Sequence, residues 1–259
     1  NFQSIYFAFL PGWIAMLSGS KVCYTIHSLA EDNPKHGRLM KLILRFFAFI
    51  SIWCCGKKII TVSKSKAQEI KLRYAKSCTV MPCGVNMPRC ADTENFNILE
   101  RFNLSPGHYY LTIGRIDPVK NLDILIKAFN KNANSHYKLV IAGNFENNYG
   151  AYLLQLAANN ENIVFTGSVM GIDKDVLLEN CFVNCLVSSS EGMPISLLEA
   201  MVHNKPCIVS DIPAIREIMP QGSAHWCAVG DVDNIAQCMN YIENNPSSIN
   251  VDSEDMLQY

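Results

Sequence analysis

No CxxC pair and no His/Cys cluster with metal-ligand spacing occurs in this chain, although eleven cysteines are spread over its 259 residues. That absence argues against a zinc site, and an odd, irregularly spaced set argues against a disulfide framework. Cys181 and Cys185 lie in or beside one apolar run and Cys207 in another, PCIVS, so they read as small buried hydrophobes in a reducing compartment. Charge of one sign is lacking too: the formal net charge of −1 gives no electrostatic case for a nucleic-acid partner. There is no internal repeat and no low-complexity tract. The opening NFQSIYFAFLPGWIAML has neither a charged start nor a small-residue cleavage site, so no signal peptide is recognisable. The chain begins on Asn rather than Met and reads as starting inside a longer protein. The one candidate membrane span, 39–55, is short and is interrupted by Lys41 and Arg45. What remains is the composition of a soluble globular protein, 49% hydrophobic and 17% charged, long enough for one large or two ordinary domains.

Strand and helix patterns alternate along the chain. Strands are expected over 21–26, 58–62 and 78–81, with helices over 38–53 and 65–74. The Pro/Gly-rich PCGVNMP and the polar run to Asn103 look like a domain crossing, placing domains at 1–88 and 89–259. The pattern then resumes with strands over 109–113, 137–142, 163–166 and 181–187, and helices over 121–130, 151–159 and 173–179. A strand at PCIVSD, a helix after Pro213 and a helix over 233–242 follow. Repeated β–α alternation argues for parallel sheets flanked by helices, two of them in a chain of this length. The tail 243–255 is polar and weakly patterned.

The helix expected over 38–53 has two readings. Leu39, Leu42, Ile43, Phe46, Phe47 and Ile50 recur at helical spacing, with Arg38, Lys41 and Arg45 on another face. A packed domain helix is the plain reading. A basic amphipathic helix resting on an anionic membrane is the alternative.

SSSEGMPISLLEAM carries the most chemistry. It follows an apolar strand, Ser188 to Ser190 and Gly192 make a turn, and Pro194 suits the first position of a helix continuing through Ile195, Leu197 and Leu198. A strand passing through a small-residue turn into a helix aims free N–H groups at the carboxyl end of a parallel sheet, where anionic ligands bind. Glu199, inside the helix, leans back toward its N-terminus, so Glu191 and Glu199 offer two carboxylates to one polar ligand. The plain alternative is a capped helix with two solvated acids. YYLTIGRIDPVKNLDILIKAF is the second constellation. Its strand ends at Gly114, where a group can approach the backbone; Arg115 offers a fork for phosphate oxygens, and Asp117–Pro118 turns Lys120 back toward the strand end. Arg and Lys in such a loop are otherwise simply solvated.

Together these stretches resemble the retaining GT-B glycosyltransferases, in particular glycosyltransferase family 4. TIHSLAED is similar to the family's His-containing loop, KKIITVSKS to its strand and serine turn, and MPCGVN to its interdomain PNGVD-type segment, with Cys83 and Asn86 in place of Asn and Asp. IGRIDPVKNLDILIKAF resembles the GR…K phosphate loop, LVIAGN and IVFTGSV the glycine-ended strands, and EGMPISLLEAMVHNKPCIVSDIPAIREI the E-x7-E signature with its sequel. The resemblance runs in order along nearly the whole chain. It implies two Rossmann-like domains facing a cleft, the first incomplete at its N-terminus.

The same resemblance implies roles. Arg115 and Lys120 would hold the donor diphosphate beside Gly114 and Gly143. Glu199 would hold the ribose and Glu191 the transferred sugar, while the backbone of Gly192, Met193, Pro194 and Ile195 lines the diphosphate and sugar. Ser168, Val169 and Met170 would meet the base. His27 would reach a sugar hydroxyl, a structural histidine being the alternative. The implied reaction is retaining transfer from a nucleotide-diphosphate sugar to a glycan or lipid-linked acceptor in cell-envelope or exopolysaccharide synthesis, without metal or other cofactor. The implied setting is the cytoplasm, with a peripheral contact at the inner face of the plasma membrane. Hydrolysis by two flanking carboxylates is disfavoured because Glu199 is better assigned to the ribose. Asp231-Val232-Asp233 spells an Asp-x-Asp metal motif, yet it precedes a helical pattern and reads as an N-cap with a first-turn acid. A nucleotide-sugar-binding remnant without turnover, or a sugar-nucleotide epimerase, are the competing functions.

Overall fold

In this computed structural model the described residues are 9–20, 22–27, 29, 36–55, 58–87, 97–132, 136–219 and 222–246. The chain divides into two compact units: Asn1–Gly84 with Ser190–Met193, and Val85–Ser189 with Pro194–Tyr259. The expected boundary at 88/89 falls in 88–96, outside the described residues.

The first unit contains α1 (Phe9–Leu17), β1 (Cys23–Ile26), α2 (Arg38–Ile50), β2 (Lys58–Thr61), α3 (Lys64–Tyr74) and β3 (Thr79–Val80). Its three strands are parallel in the order β1-β2-β3, with Tyr24 opposite Ile59 and Ile60 opposite Thr79. Ile26, Ile59, Ile70 and Tyr74 form its core with Ala48 and Ile52. The serine turn of KIITVSKS is an N-cap: Ser63 Oγ accepts from the Lys66 amide at 3.3 Å and starts α3.

One expectation fails at α2. The helix runs through Trp53 as expected, its last turn, Ser51–Cys55, being π-helical. The face expected to pack is not the one that packs. Leu39, Leu42, Ile43 and Phe46 are exposed, Phe47 and Ile50 half-buried, while Ala48 and Ile52 are fully buried. Small Ala48 lets the helix approach its neighbours closely on that side, and the large side chains are turned outward.

The second unit contains α4 (Asn97–Arg101), β4 (Tyr109–Ile113), α5 (Leu122–Lys131), β5 (Lys138–Ala142), α6 (Asn148–Ala157), β6 (Ile163–Gly167) and α7 (Ile172–Asn180). There follow β7 (Val183–Leu186), α8 (Ile195–Val202), β8 (Cys207–Ser210), α9 (Pro213–Arg216), β9 (His225–Cys227) and α10 (Val232–Asn244). Its six strands are all parallel, in the order β6-β5-β4-β7-β8-β9. Counted from β4 that is 3-2-1-4-5-6, the doubly wound order whose direction reverses between the first and fourth strands. Strands such as KLVIA and CIVS are apolar on both faces because helices cover both sides. Leu125, Ile126 and Phe129 of α5 pack with Ile235, Met239 and Ile242 of α10 in one core.

Local chemistry sets the helix starts. Asn147 Oδ1 accepts from the Gly150 amide at 2.9 Å, so α6 begins three residues before the expected 151. Pro194 is the N-cap of α8, not its first helical residue. Within the expected polar crossing, α4 forms with Ile98 and Leu99 buried. Cys181, Cys185 and Cys207 are buried, and loss of hydration raises all three thiols, Cys181 to about 12. They are neutral packing groups rather than nucleophiles.

Asp231 Oδ1 accepts from the amides of Asp233 and Asn234, both at 3.0 Å, and so caps α10, while Asp233 pairs with Lys131. Asp231→Ala should therefore cost about 1 kcal/mol of stability, and Asp231→Asn far less. Urea unfolding checks this; equal loss in both variants would show that the side chain's role is not capping.

Candidate functional site

The crevice of a doubly wound sheet lies beyond the carboxyl ends of its strands, where the order reverses. In the second unit that place is between β4 and β7. β4 is followed by Gly114, whose φ of +151° few other residues adopt, and whose amide donates to Ala142 O at 2.9 Å. Beside it, Gly143 follows β5 and its amide donates to Gly167 O at 2.9 Å. A Cβ on Gly143 would overlap the Gly114 carbonyl oxygen, so only glycine permits these two backbones to meet.

After Gly114 the chain turns back on itself. Asp117 Oδ1 accepts from the Val119 amide at 3.2 Å and caps a 3-10 turn, Pro118–Lys120, and Asn121 follows at φ +50° to open α5. That turn returns Lys120 over the strand end, its Cε 4.0 Å from where a Cβ on Gly114 would sit. The loop after β7 is tied to the same turn from the other side. The Ser189 amide and hydroxyl both donate to Val119 O, at 2.8 and 3.1 Å, and Asn121 Nδ2 donates to Val187 O at 3.0 Å. The result is a pocket lined by Thr112, Gly114, Arg115, Lys120, Ala142 and Val187, with Arg115 exposed beside it. Two cations beside glycine-only backbone suit a phosphorylated ligand.

The other expected residues of this unit lie on neighbouring elements. Ser168, Val169 and Met170 follow β6, and Met170 is largely exposed. Ile195 opens α8, whose N-terminus has no side-chain cap. Glu199, on the same helix, is held by an ion pair from Lys174 Nζ of α7 at 2.5 Å. Sequence reasoning missed Lys174 because no local signal pairs positions 25 residues apart on two helices. It missed Asn121 and Ser189 as latches for the same reason, although Asn is the residue expected at a left-handed helix start.

Glu191, Gly192 and Met193 belong by contact to the first unit. There a Cβ on Gly192 would overlap the carbonyl oxygen of His27, Val62 Cγ2 lies 3.6 Å from that Cβ position, and the Cys83 amide donates to Met193 Sδ at 3.0 Å. The structure thus brings Gly192, next to Glu191, against the residue that follows β1. His27 itself is exposed. The rest of TIHSLAED falls largely on residues outside those described. Among the described residues no group of three or more His, Cys, Asp or Glu side chains is arranged to hold a metal ion.

Comparison with known proteins adds family to geometry. The family profile described as Glycosyl transferases group 1 matches residues 98–256. Among curated relatives, the O-antigen chain mannosyltransferase RfbU of Salmonella typhimurium is 25% identical over 207 residues, covering 78% of this chain and 55% of that protein. The UDP-Gal:alpha-D-GlcNAc-diphosphoundecaprenol alpha-1,3-galactosyltransferase of Escherichia coli is 28% identical over 202 residues, covering 74% and 51%. The chain spans about half the length of these relatives. Among solved structures, Anabaena Alr3699/HepE in complex with UDP and glucose superposes with a TM-score of 0.82 at 15% identity, covering 98% of this chain and 70% of that one. The apo form of the lipopolysaccharide outer core galactosyltransferase WaaB gives 0.66 at 17% identity, covering 98% and 69%. The parallel α/β architecture is that of GT-B glycosyltransferases, and the chain belongs to the family Glycosyl transferases group 1.

Proposed function

We propose that this chain is the donor-binding part of a retaining glycosyltransferase of family 4, moving a sugar from a nucleotide diphosphate to a glycan or lipid-linked acceptor in O-antigen or related cell-envelope synthesis. The observation that carries it is the pocket at the β4–β7 reversal, where Lys120 is folded over Gly114 beside Arg115. The structural neighbour bound to UDP and glucose and the relative whose name specifies UDP-Gal and a diphosphoundecaprenol acceptor favour a uridine nucleotide and a lipid-linked acceptor.

In this reading the bond from the anomeric carbon to the terminal phosphate oxygen breaks, leaving oxocarbenium character on the ring and negative charge on the diphosphate. Arg115 and Lys120 meet that charge, with N–H groups of the Gly192–Ile195 segment contributing donors. The acceptor hydroxyl attacks the same face of the anomeric carbon, and its proton passes to the departing phosphate oxygen. Glu191 offsets the ring's positive character and orients the sugar, and His27 bonds a sugar hydroxyl. Glu199, fixed by Lys174, holds the ribose hydroxyls, and the Ser168–Met170 segment meets the base. No metal enters, because the two cations neutralise the leaving group. The reaction belongs to the cytoplasm, with a peripheral contact at the inner membrane face where a lipid-linked acceptor would reside.

Three outcomes test this. Lys120→Ala and Glu191→Ala should each lower kcat/KM for transfer by about 10²–10³ while leaving the unfolding midpoint within a few degrees of wild type; wild-type rates would reject the assignment. In a thermal-shift screen of uridine, guanosine and adenosine diphosphates, uridine diphosphate should give the largest rise. Saturation at ~100 times Kd adds ~2.7 kcal/mol, and equal or absent shifts would count against a nucleotide site of this kind. Transfer should proceed at full rate in excess chelator. Loss restored by manganese would remove the metal-free reading, and nucleotide binding without any transfer would leave a binding remnant.

A further inference from the structure

We infer that Asn121 and Ser189 are positioning residues for Lys120: from the β7 side they clamp the chain before and after that lysine, and so set how well its ammonium meets the donor diphosphate. The inference deepens the proposed function and rests on its assignment of Lys120 to the diphosphate.

The sheet itself creates the need for a clamp. β4 pairs with β5 as far as Ile113 and Ala142, whereas its pairing with β7 stops at Leu111 and Asn184. Past those residues the ladder between β4 and β7 has ended, and the pocket under Lys120 lies where the two chains part. Three hydrogen bonds cross that gap, and they converge on the residues flanking Lys120. The Ser189 amide and hydroxyl donate to Val119 O at 2.8 and 3.1 Å. That carbonyl shares one planar peptide unit with the Lys120 Cα. Two donors on its oxygen therefore fix the plane from which the lysine side chain springs. On the other side Asn121 Nδ2 donates to Val187 O at 3.0 Å. Val187 lines the same pocket and is 1% exposed, so this anchor is buried.

The residue type at 121 separates the clamp from the turn. Asn121 has φ +50°, a conformation that glycine adopts without strain and asparagine or aspartate tolerates. Glycine would complete the turn but bring no donor to Val187 O. Aspartate would set a carboxylate against that carbonyl. Asparagine satisfies the backbone and supplies the bond. Fixing the backbone matters because a lysine stem is flexible. Here the stem lies across the strand end, with Cε 4.0 Å from where a Cβ on Gly114 would sit. With its root clamped and its stem laid on glycine, the ammonium needs little further ordering to meet a phosphate.

Calorimetry tests this, using whichever of uridine, guanosine and adenosine diphosphate stabilises the protein most. Asn121→Gly keeps the left-handed turn and removes the amide. It should weaken Kd about fivefold, the net worth of one hydrogen bond. Ser189→Ala keeps the amide bond to Val119 O and should weaken Kd about two- to threefold. In a Lys120→Ala background neither change should have any further effect, because a residue that acts through Lys120 then has nothing to position. Losses that add to that of Lys120→Ala would overturn the inference and leave the bonds as general support for the fold. A wild-type Kd in either single variant would overturn it as well. Should Asn121→Gly fail to fold, Ser189→Ala carries the same cycle. A wild type that binds none of the three diphosphates would refute the donor-site reading and this inference with it. Additive losses in a protein that does bind would refute the inference alone.

Discussion

The second unit depends on β4 being paired on both edges. Tyr109–Ile113 bonds in parallel to β5 on one side and to β7 on the other, and its first four residues are buried. A strand in that position needs partners for polar atoms on both faces. Tyr109 donates its hydroxyl to Leu177 O at 2.7 Å, and Tyr110 donates to Glu243 Oε1 at 2.8 Å, tying β4 to α7 and α10. Burial raises both phenols above their ordinary value, so both remain donors throughout the physiological range. Once β4 is central, the loops from β4 and β7 must diverge at its carboxyl end. The pocket under Lys120 follows from topology before any functional side chain is considered.

What fills that divergence is specified by glycine and by short latches rather than by acidic or basic residues alone. Gly143 permits contact with Gly114, Asp117 shapes the turn, and Ser189 and Asn121 fasten the β7 loop to it. Each hydrogen bond in these latches is worth about 1 kcal/mol net. Together they fix the turn that returns Lys120 over the strand end.

Much of this was legible in the residues. Apolar runs ended by glycine marked β4, β5 and β6, and Asp-Pro followed by Lys marked the return of the loop. Reading failed where the deciding contact was distant. The pairing of Lys174 with Glu199 depends on how α7 and α8 pack, which neither helix encodes alone. β9 is only His225–Cys227 and exists because β8 offers an edge, not because three residues show periodicity. The apolar stripe of α2 announced a helix and even its amphipathicity. It did not say which side would be buried, because small Ala48 on the opposite face proved the better contact.

The charge balance carries the last step. Residues 85–259 are net negative, yet the proposed ligand is an anion. Long-range repulsion is largely screened beyond about 8 Å at physiological ionic strength, whereas contacts within a pocket are not. Several cations of this unit are committed elsewhere: Lys127 to Asp123, Lys131 to Asp233, Lys174 to Glu199 and Arg216 to Asp211. On the proposed reading placement therefore outweighs total charge, and Arg115 with Lys120 at a glycine-lined strand end is such a placement.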